Sequence, residues 1–161
     1  ENITEIKHLL PDESRFAGGV STLVKGFYLN PHIDISHNAE NKNLYRTANV
    51  LYYVSPNWRL ENGGNYEIWD DKVEQCKVVP ALFNRLLVMA TNRISWHGVS
   101  EVLCDEPRCC IFNYYFSKQS PEGKTFSKTV ASFKARPEQK IHRTLQNIKE
   151  KIKKGISLLI K

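Results

Sequence analysis

No apolar run in the 161 residues approaches the ~20 that a helix needs to cross a bilayer, and the residues from Glu1 onward are not expected to form a signal peptide. An initiating methionine is also lacking, and the expectation is that an N-terminal piece is missing. The four cysteines, Cys76, Cys104, Cys109 and Cys110, have neither a CxxC nor a zinc-type spacing. Neighbouring Cys109 and Cys110 would point to opposite faces of a strand, so a reduced, cytoplasmic setting is expected. No internal repeat is visible. A basic body is lacking too. Of 23 Lys/Arg and 17 Asp/Glu, eight and two fall from Arg136 onward, so the net charge of +6 belongs to the tail and the remainder is neutral. Nucleic-acid binding through a general basic face is therefore not expected.

What is present suits one domain with a sizeable core: 41% hydrophobic and 25% charged residues are ordinary values for a soluble protein. Ile3, Ile6, Leu9 and Leu10 are spaced for a short helical turn that Pro11 ends. Residues 20–29 form a strand pattern ahead of a turn at Pro31, and residues 35–44 are a polar loop. Residues 45–54, rich in β-branched and aromatic types, predict a strand, and Asn62-Gly63-Gly64 predicts a turn into another over 65–69. Further strands are expected at Cys76–Val79, 85–90, 96–99 and Arg108–Ser117, with 126–133 irregular or an edge segment. About eight short strands at roughly ten-residue intervals suggest a mainly β sandwich or small barrel. From Pro137 the period changes. Ile141, Leu145, Ile148, Ile152, Ile156 and Leu159 recur at helical spacing with Lys and Arg opposite, and a break is expected at Gly155.

Within this pattern, His32 and Asp34 lie two residues apart, so on a strand they share a face. His97, in Trp96-His97-Gly98-Val99, can close on them if the chain doubles back as a barrel. Two imidazoles and one carboxylate on one side of a metal form the facial triad that suits non-haem Fe(II). A lone HxD arises by chance, and His8, His37 and His142 take the ordinary reading of loop or core histidines. A third element lifts His32, Asp34 and His97. Arg108 opens the last strand, and by period two it shares a face with Cys110, Phe112 and Tyr114. A guanidinium on an apolar face is costly unless an anion neutralises it. The partner is either a buried Asp or Glu or the distal carboxylate of a small diacid whose other end chelates the metal.

At this point the sequence resembles the Fe(II)/2-oxoglutarate-dependent oxygenases of the prolyl-4-hydroxylase-like branch. The matching pieces are Phe27-Tyr28-Leu29-Asn30-Pro31-His32-Ile33-Asp34, Tyr45-Arg46 through Leu51-Tyr52-Tyr53-Val54, Glu61-Asn62-Gly63-Gly64 through Ile68-Trp69, Phe83-Asn84-Arg85-Leu86-Leu87-Val88, Trp96-His97-Gly98-Val99 and Arg108 through Phe116. In order and spacing they cover about residues 20–117, roughly sixty per cent of the chain. The resemblance implies a double-stranded β-helix (jelly-roll) domain over residues 1–135, lacking some N-terminal supporting elements, with 136–161 as a basic amphipathic helix of the same domain. It implies His32, Asp34 and His97 as iron ligands and Arg108 as the residue that binds the far carboxylate of 2-oxoglutarate. Tyr53 matches a tyrosine whose hydroxyl bonds that same carboxylate, with core packing as the alternative. Arg46 matches a substrate-side position in some relatives, against a solvated strand-end charge. Trp96 either shields the metal or fills the barrel end, and Gly63-Gly64 serves the hairpin.

The implied cofactor and co-substrates are Fe(II), 2-oxoglutarate and O2, with ascorbate a candidate reductant. The implied reaction hydroxylates an unactivated C–H bond of a small molecule or peptidyl residue and releases succinate and CO2. Asp34 favours hydroxylation over halogenation, because related halogenases lack the carboxylate. One departure concerns the tyrosine that the branch often carries about ten residues before the HxD His, where this chain has Ser21-Thr22-Leu23. A non-catalytic, cupin-like metal-binding jelly-roll is the alternative class. The basic helix could instead lie on an anionic membrane, but packing on the outer sheet or on a second subunit, as in a homodimer, is the plainer expectation.

Overall fold

The longest strand patterns in the chain pair with each other along nearly their whole length. The computed structural model describes residues 7–14, 18–123, 127 and 130–159. Its elements are β1 (Leu10–Pro11), β2 (Gly19–Leu23), β3 (Leu29–Ile33), β4 (Tyr45–Tyr53), β5 (Tyr66–Trp69), β6 (Cys76–Val79), β7 (Leu86–Ala90), β8 (His97–Val99), β9 (Arg108–Ser117), β10 (Ser132–Phe133) and α1 (Lys140–Leu159). One antiparallel sheet runs β1-β9-β4-β7, with β2 on the same edge of β9 as β1. The other runs β10-β3-β8-β5-β6. The chain passes repeatedly between the two, as a double-stranded β-helix requires. Between the sheets, Leu51, Tyr53, Trp58, Tyr66, Leu87, Met89 and Val102 form the buried core.

Three expectations are corrected. The single strand predicted over 20–29 is two strands in different sheets, divided by a turn in which Gly26 has φ 82° and Phe27 N–H donates to Val24 O. Pro31 consequently lies inside β3 rather than at a turn. It is accommodated because the β3–β8 register shifts between Leu29 and His32, so the missing N–H falls within a bulge. The helical turn predicted near Leu10 is strand β1, whose residues pair with Phe116 and Tyr115; Ile3 and Ile6 lie outside the described residues. An edge of β9 offers those backbone groups partners that an isolated turn could not. The third correction concerns α1, which continues through Gly155 without a break.

Among the described residues, the apolar stripe of α1 does not pack on the outer sheet. Ile141 is 79% exposed, and Leu145, Ile148 and Ile152 are exposed as well. Polar contacts hold the helix instead: Arg143 donates to Val73 O, and Gln146 Oε1 accepts from Ala135 N–H. Among the described residues, no helix is long and apolar enough to cross a membrane.

The first cation of the basic tail is not a surface charge. Arg136 is buried, with Nη1 2.7 Å from Glu67 Oε2, and it donates to the backbone oxygens of Leu29 and Val99. It thereby grips β3 and β8 together and ties residues 132–136 to the second sheet. Removing one partner of a buried pair leaves the other charge uncompensated. Arg136→Ala is therefore expected to lower stability by about 3–5 kcal/mol, read as a lower urea midpoint. Replacing both partners by apolar residues should recover part of that loss.

Candidate metal centre

β3 and β8 carry the two histidines, and their register makes His32 and His97 direct cross-strand partners. Partners on one rung point to the same face, and here the ring centroids are 4.1 Å apart. Asp34 follows two residues after His32 and turns its carboxylate to the same point: Oδ1 is 3.7 Å from His32 Nε2, and Oδ2 is 3.7 Å from His97 Nε2. All three donor atoms lie within 4.8 Å of one another.

The second nitrogens set the tautomers. His32 Nδ1 lies 3.0 Å from Asn30 O and His97 Nδ1 2.9 Å from Ser95 O, so each carries its proton there and leaves the Nε2 lone pair for the centre. Burial first, and the neighbouring His32 second, hold His97 well below the usual imidazole range, which keeps it neutral. Asp34 Oδ2 is buried and accepts no hydrogen bond. Two imidazoles and one carboxylate, spaced so that a cation with bonds of ~2.1 Å can bridge them, fit a divalent metal.

Arg46 stands behind Asp34. The expectation of a solvated strand-end charge is overturned, since Arg46 is buried with Nη1 3.3 Å from Asp34 Oδ2. The cause is a bulge in β4: Arg46 pairs with Phe116 and Ala48 with Tyr115, leaving Thr47 as the extra residue. The parity shift puts Arg46 on the same inward face as Asn49, Leu51 and Tyr53. Its guanidinium lies 3.7 Å over the Tyr114 ring, and burial pushes the Tyr114 phenol up to about 12. Arg46 thus contacts Asp34 from within the barrel.

From the histidines a cavity of about 180 Å³ extends between the sheets to Arg108, passing Asn49, Leu51 and Phe112. Arg108 is 2% exposed, and among the described residues no carboxylate pairs with it. Nε donates to Gly64 O at 3.2 Å and Nη1 to Cys110 Sγ at 3.2 Å, while Nη2 has no partner. Of the two open alternatives, a buried Asp or Glu is therefore absent among the described residues.

Gly64 does more than turn the hairpin. At φ 61°, with an added Cβ only 3.0 Å from Arg108 Cγ, it lets the backbone come close enough to hold the guanidinium. Tyr53 is fully buried, with its ring 4.8 Å from the Arg108 Cζ and a hydroxyl that has no partner. Burial pushes this phenol up, against a smaller opposite effect of Arg108.

Trp96 is half-buried beside His97, and its carbonyl accepts from Trp69 N–H. Ser21, in the stretch without the expected tyrosine, lines the cavity. Nothing in the local pattern flags Phe133, whose ring stacks on His32 at 5.1 Å because β10 pairs it with that histidine.

A family model described as the 2OG-Fe(II) oxygenase superfamily matches residues 18–116. The chain is similar to a solved prolyl hydroxylase from Trichoplax adhaerens in complex with a hypoxia inducible factor oxygen degradation domain peptide fragment. Identity there is 25% and the TM-score 0.50, over 66% of this chain and 46% of that one. It is also similar to a structure of prolyl 4-hydroxylases from Phytophthora capsici, at 18% identity and a TM-score of 0.51, over 68% of this chain and 36% of that one. The chain thus spans less than half the length of these solved chains. No curated protein matches it.

The Arg46–Asp34 contact has a consequence for the metal-free protein. Arg46→Ala removes the permanent positive charge beside a buried carboxylate and is expected to cost about 3–5 kcal/mol, measured by urea unfolding in EDTA. Added Mn(II) should return part of the loss, because the ion supplies the missing charge. An unchanged midpoint in EDTA would show that Asp34 does not depend on Arg46.

Proposed function

Because the chain belongs to the 2OG-Fe(II) oxygenase superfamily, we propose that it is a 2-oxoglutarate-dependent hydroxylase with His32, Asp34 and His97 holding Fe(II) and Arg108 holding the co-substrate. The observation that carries this reading is one cavity with a convergent His-His-Asp set at one end and a buried arginine without an acidic partner at the other. The family uses Fe(II), 2-oxoglutarate and O2, and together they supply the oxidative decarboxylation that drives oxidation of a substrate C–H bond.

This chain's residues orient and exclude. The backbone carbonyls of Asn30 and Ser95 fix the imidazoles, and Arg46 holds the Asp34 carboxylate. Arg108 fixes one end of the diacid with its free Nη2, and the partnerless Tyr53 hydroxyl is a second group for that carboxylate. Leu51 and Phe112 keep the space between the ends apolar, which strengthens the Arg108–carboxylate attraction by excluding water. Arg46, walled in behind Asp34, is assigned here to positioning rather than to substrate contact.

A peptidyl residue is the proposed substrate class, supported by the peptide bound to the similar Trichoplax prolyl hydroxylase. Residues 1–135 are assigned to the oxygenase domain and 136–161 to a helix of the same unit. The Arg136–Glu67 pair and the pairing of β10 with β3 support that unity. With four free cysteines, a reducing cytoplasmic setting is proposed.

An anaerobic absorption spectrum tests the reading. Adding Fe(II) and then 2-oxoglutarate is expected to give a weak visible charge-transfer band, lost in Arg108→Ala at the same concentration of 2-oxoglutarate. Iron binding without any band in the wild type would favour a non-catalytic metal-binding jelly-roll. Asp34→Ala is expected to abolish substrate-coupled succinate release, and full retention of that release would remove Asp34 from the metal set.

A further inference from the structure

The floor of the cavity is formed by β4 and β9, and one polar side chain on it carries a buried oxygen without a hydrogen-bond partner. Asn49 sits mid-strand, 5% exposed, with Tyr114 opposite on β9 and Met89 opposite on β7. It lines the cavity, and its Oδ1 has no hydrogen-bond partner. Apart from Arg108 Nη2, several polar groups of the wall are engaged: the Nδ1 atoms of His32 and His97 with backbone carbonyls, the Tyr66 hydroxyl with Met89 Sδ, and the Cys110 thiol with Arg108. A buried amide oxygen left unpaired is costly, and Asn is a poor strand former, so an aliphatic residue would serve the sheet better here.

Register gives Asn49 its level in the cavity. Its partner Tyr114 carries the Arg46 guanidinium, which reaches Asp34, so Asn49 stands at the metal end. The Arg108 end is marked by Tyr53, which pairs with Cys110 further along the same two strands. A diacid held by Arg108 and reaching the His-His-Asp set must pass over this floor.

We propose that Asn49 is a co-substrate-binding residue whose carboxamide N–H donates to the metal-end carboxylate of 2-oxoglutarate. The inference rests on the proposed function. An amide suits this place because it donates to an anion without adding a charge beside Asp34. The diacid is thereby gripped at both ends, by a cation at one and a neutral donor at the other.

The test is calorimetric titration of 2-oxoglutarate into Mn(II)-loaded wild type, N49V, N49D and R108A, with melting temperatures of the metal-free proteins in EDTA. N49V is expected to bind 2-oxoglutarate about ten- to a hundredfold more weakly, the loss of a hydrogen bond to a charged group. N49D should bind more weakly still, because two carboxylates would face each other. Metal-free N49V is expected to melt at or above the wild type, since it removes an unpaired buried group.

N49V and N49D that both bind within about twofold of the wild type would overturn the role of Asn49. Wild-type binding and its loss in R108A would in that case leave the proposed function standing. If the wild type itself binds no 2-oxoglutarate, or R108A binds equally well, the proposed function falls and this inference with it. Should N49V fail to fold, Asn49 is a packing residue only if N49D also retains wild-type affinity.

Discussion

His32 and His97 occupy one rung of the β3–β8 ladder, and the geometry of the metal site depends on that register. A one-residue slip would send one imidazole to the far side of the sheet. Several features oppose such a slip. The bulge between Leu29 and His32 absorbs Pro31. Gly98 lies so close to β3 that a Cβ would fall 2.8 Å from Leu29 O. Arg136 spans the two strands by donating to Leu29 O and Val99 O, and Phe133 stacks on His32 from the neighbouring strand. Residues far along the chain from the histidines therefore hold them in place.

Three buried arginines among the described residues divide the electrostatic labour of the barrel. Arg136 is paired with Glu67 and accepted by two backbone carbonyls, so its charge is compensated and it serves as a fastener. Arg46 pairs with Asp34 of the candidate metal centre and stacks on Tyr114, so its charge is shared between a carboxylate and a ring face. Arg108 has a ring, a thiol and a carbonyl but no carboxylate among the described residues. Burying a guanidinium in that state opposes stability. Together with Tyr53 and Asn49, it concentrates unsatisfied polar atoms along one cavity, the pattern of a fold that gives up stability where it meets a ligand.

Much of the fold was legible because period-two patterning and turn residues are local properties. Arg108–Ser117 and Cys76–Val79 match the strands expected from residue types and turn punctuation, and Asn62-Gly63-Gly64 marks a turn whose two glycines do have positive φ. The misplaced elements are those decided by distant partners: β1 exists because β9 offers a free edge, and β2 parts from β3 because they join different sheets. The donor set was legible as well, since His32 and Asp34 share strand parity and the resemblance to the oxygenases, together with Arg108, joins His97 to them. Arg46 was not, because a single bulged residue at Thr47 inverts the parity on which such an argument runs. Neither was Arg136, which composition counts as one more charge in a basic tail.

The sequence by itself determined the strand-forming segments, the helical period of the tail and the residue types able to form a His-His-Asp and arginine site. All of these follow from spacings of a few residues. Only the tertiary structure decided that His32 and His97 share a rung, that Arg46 turns inward, and that Arg136 finds Glu67 at a separation of 69 residues. Register, bulges and buried charge pairs are set by which strands meet, and that meeting depends on the packing of the whole chain.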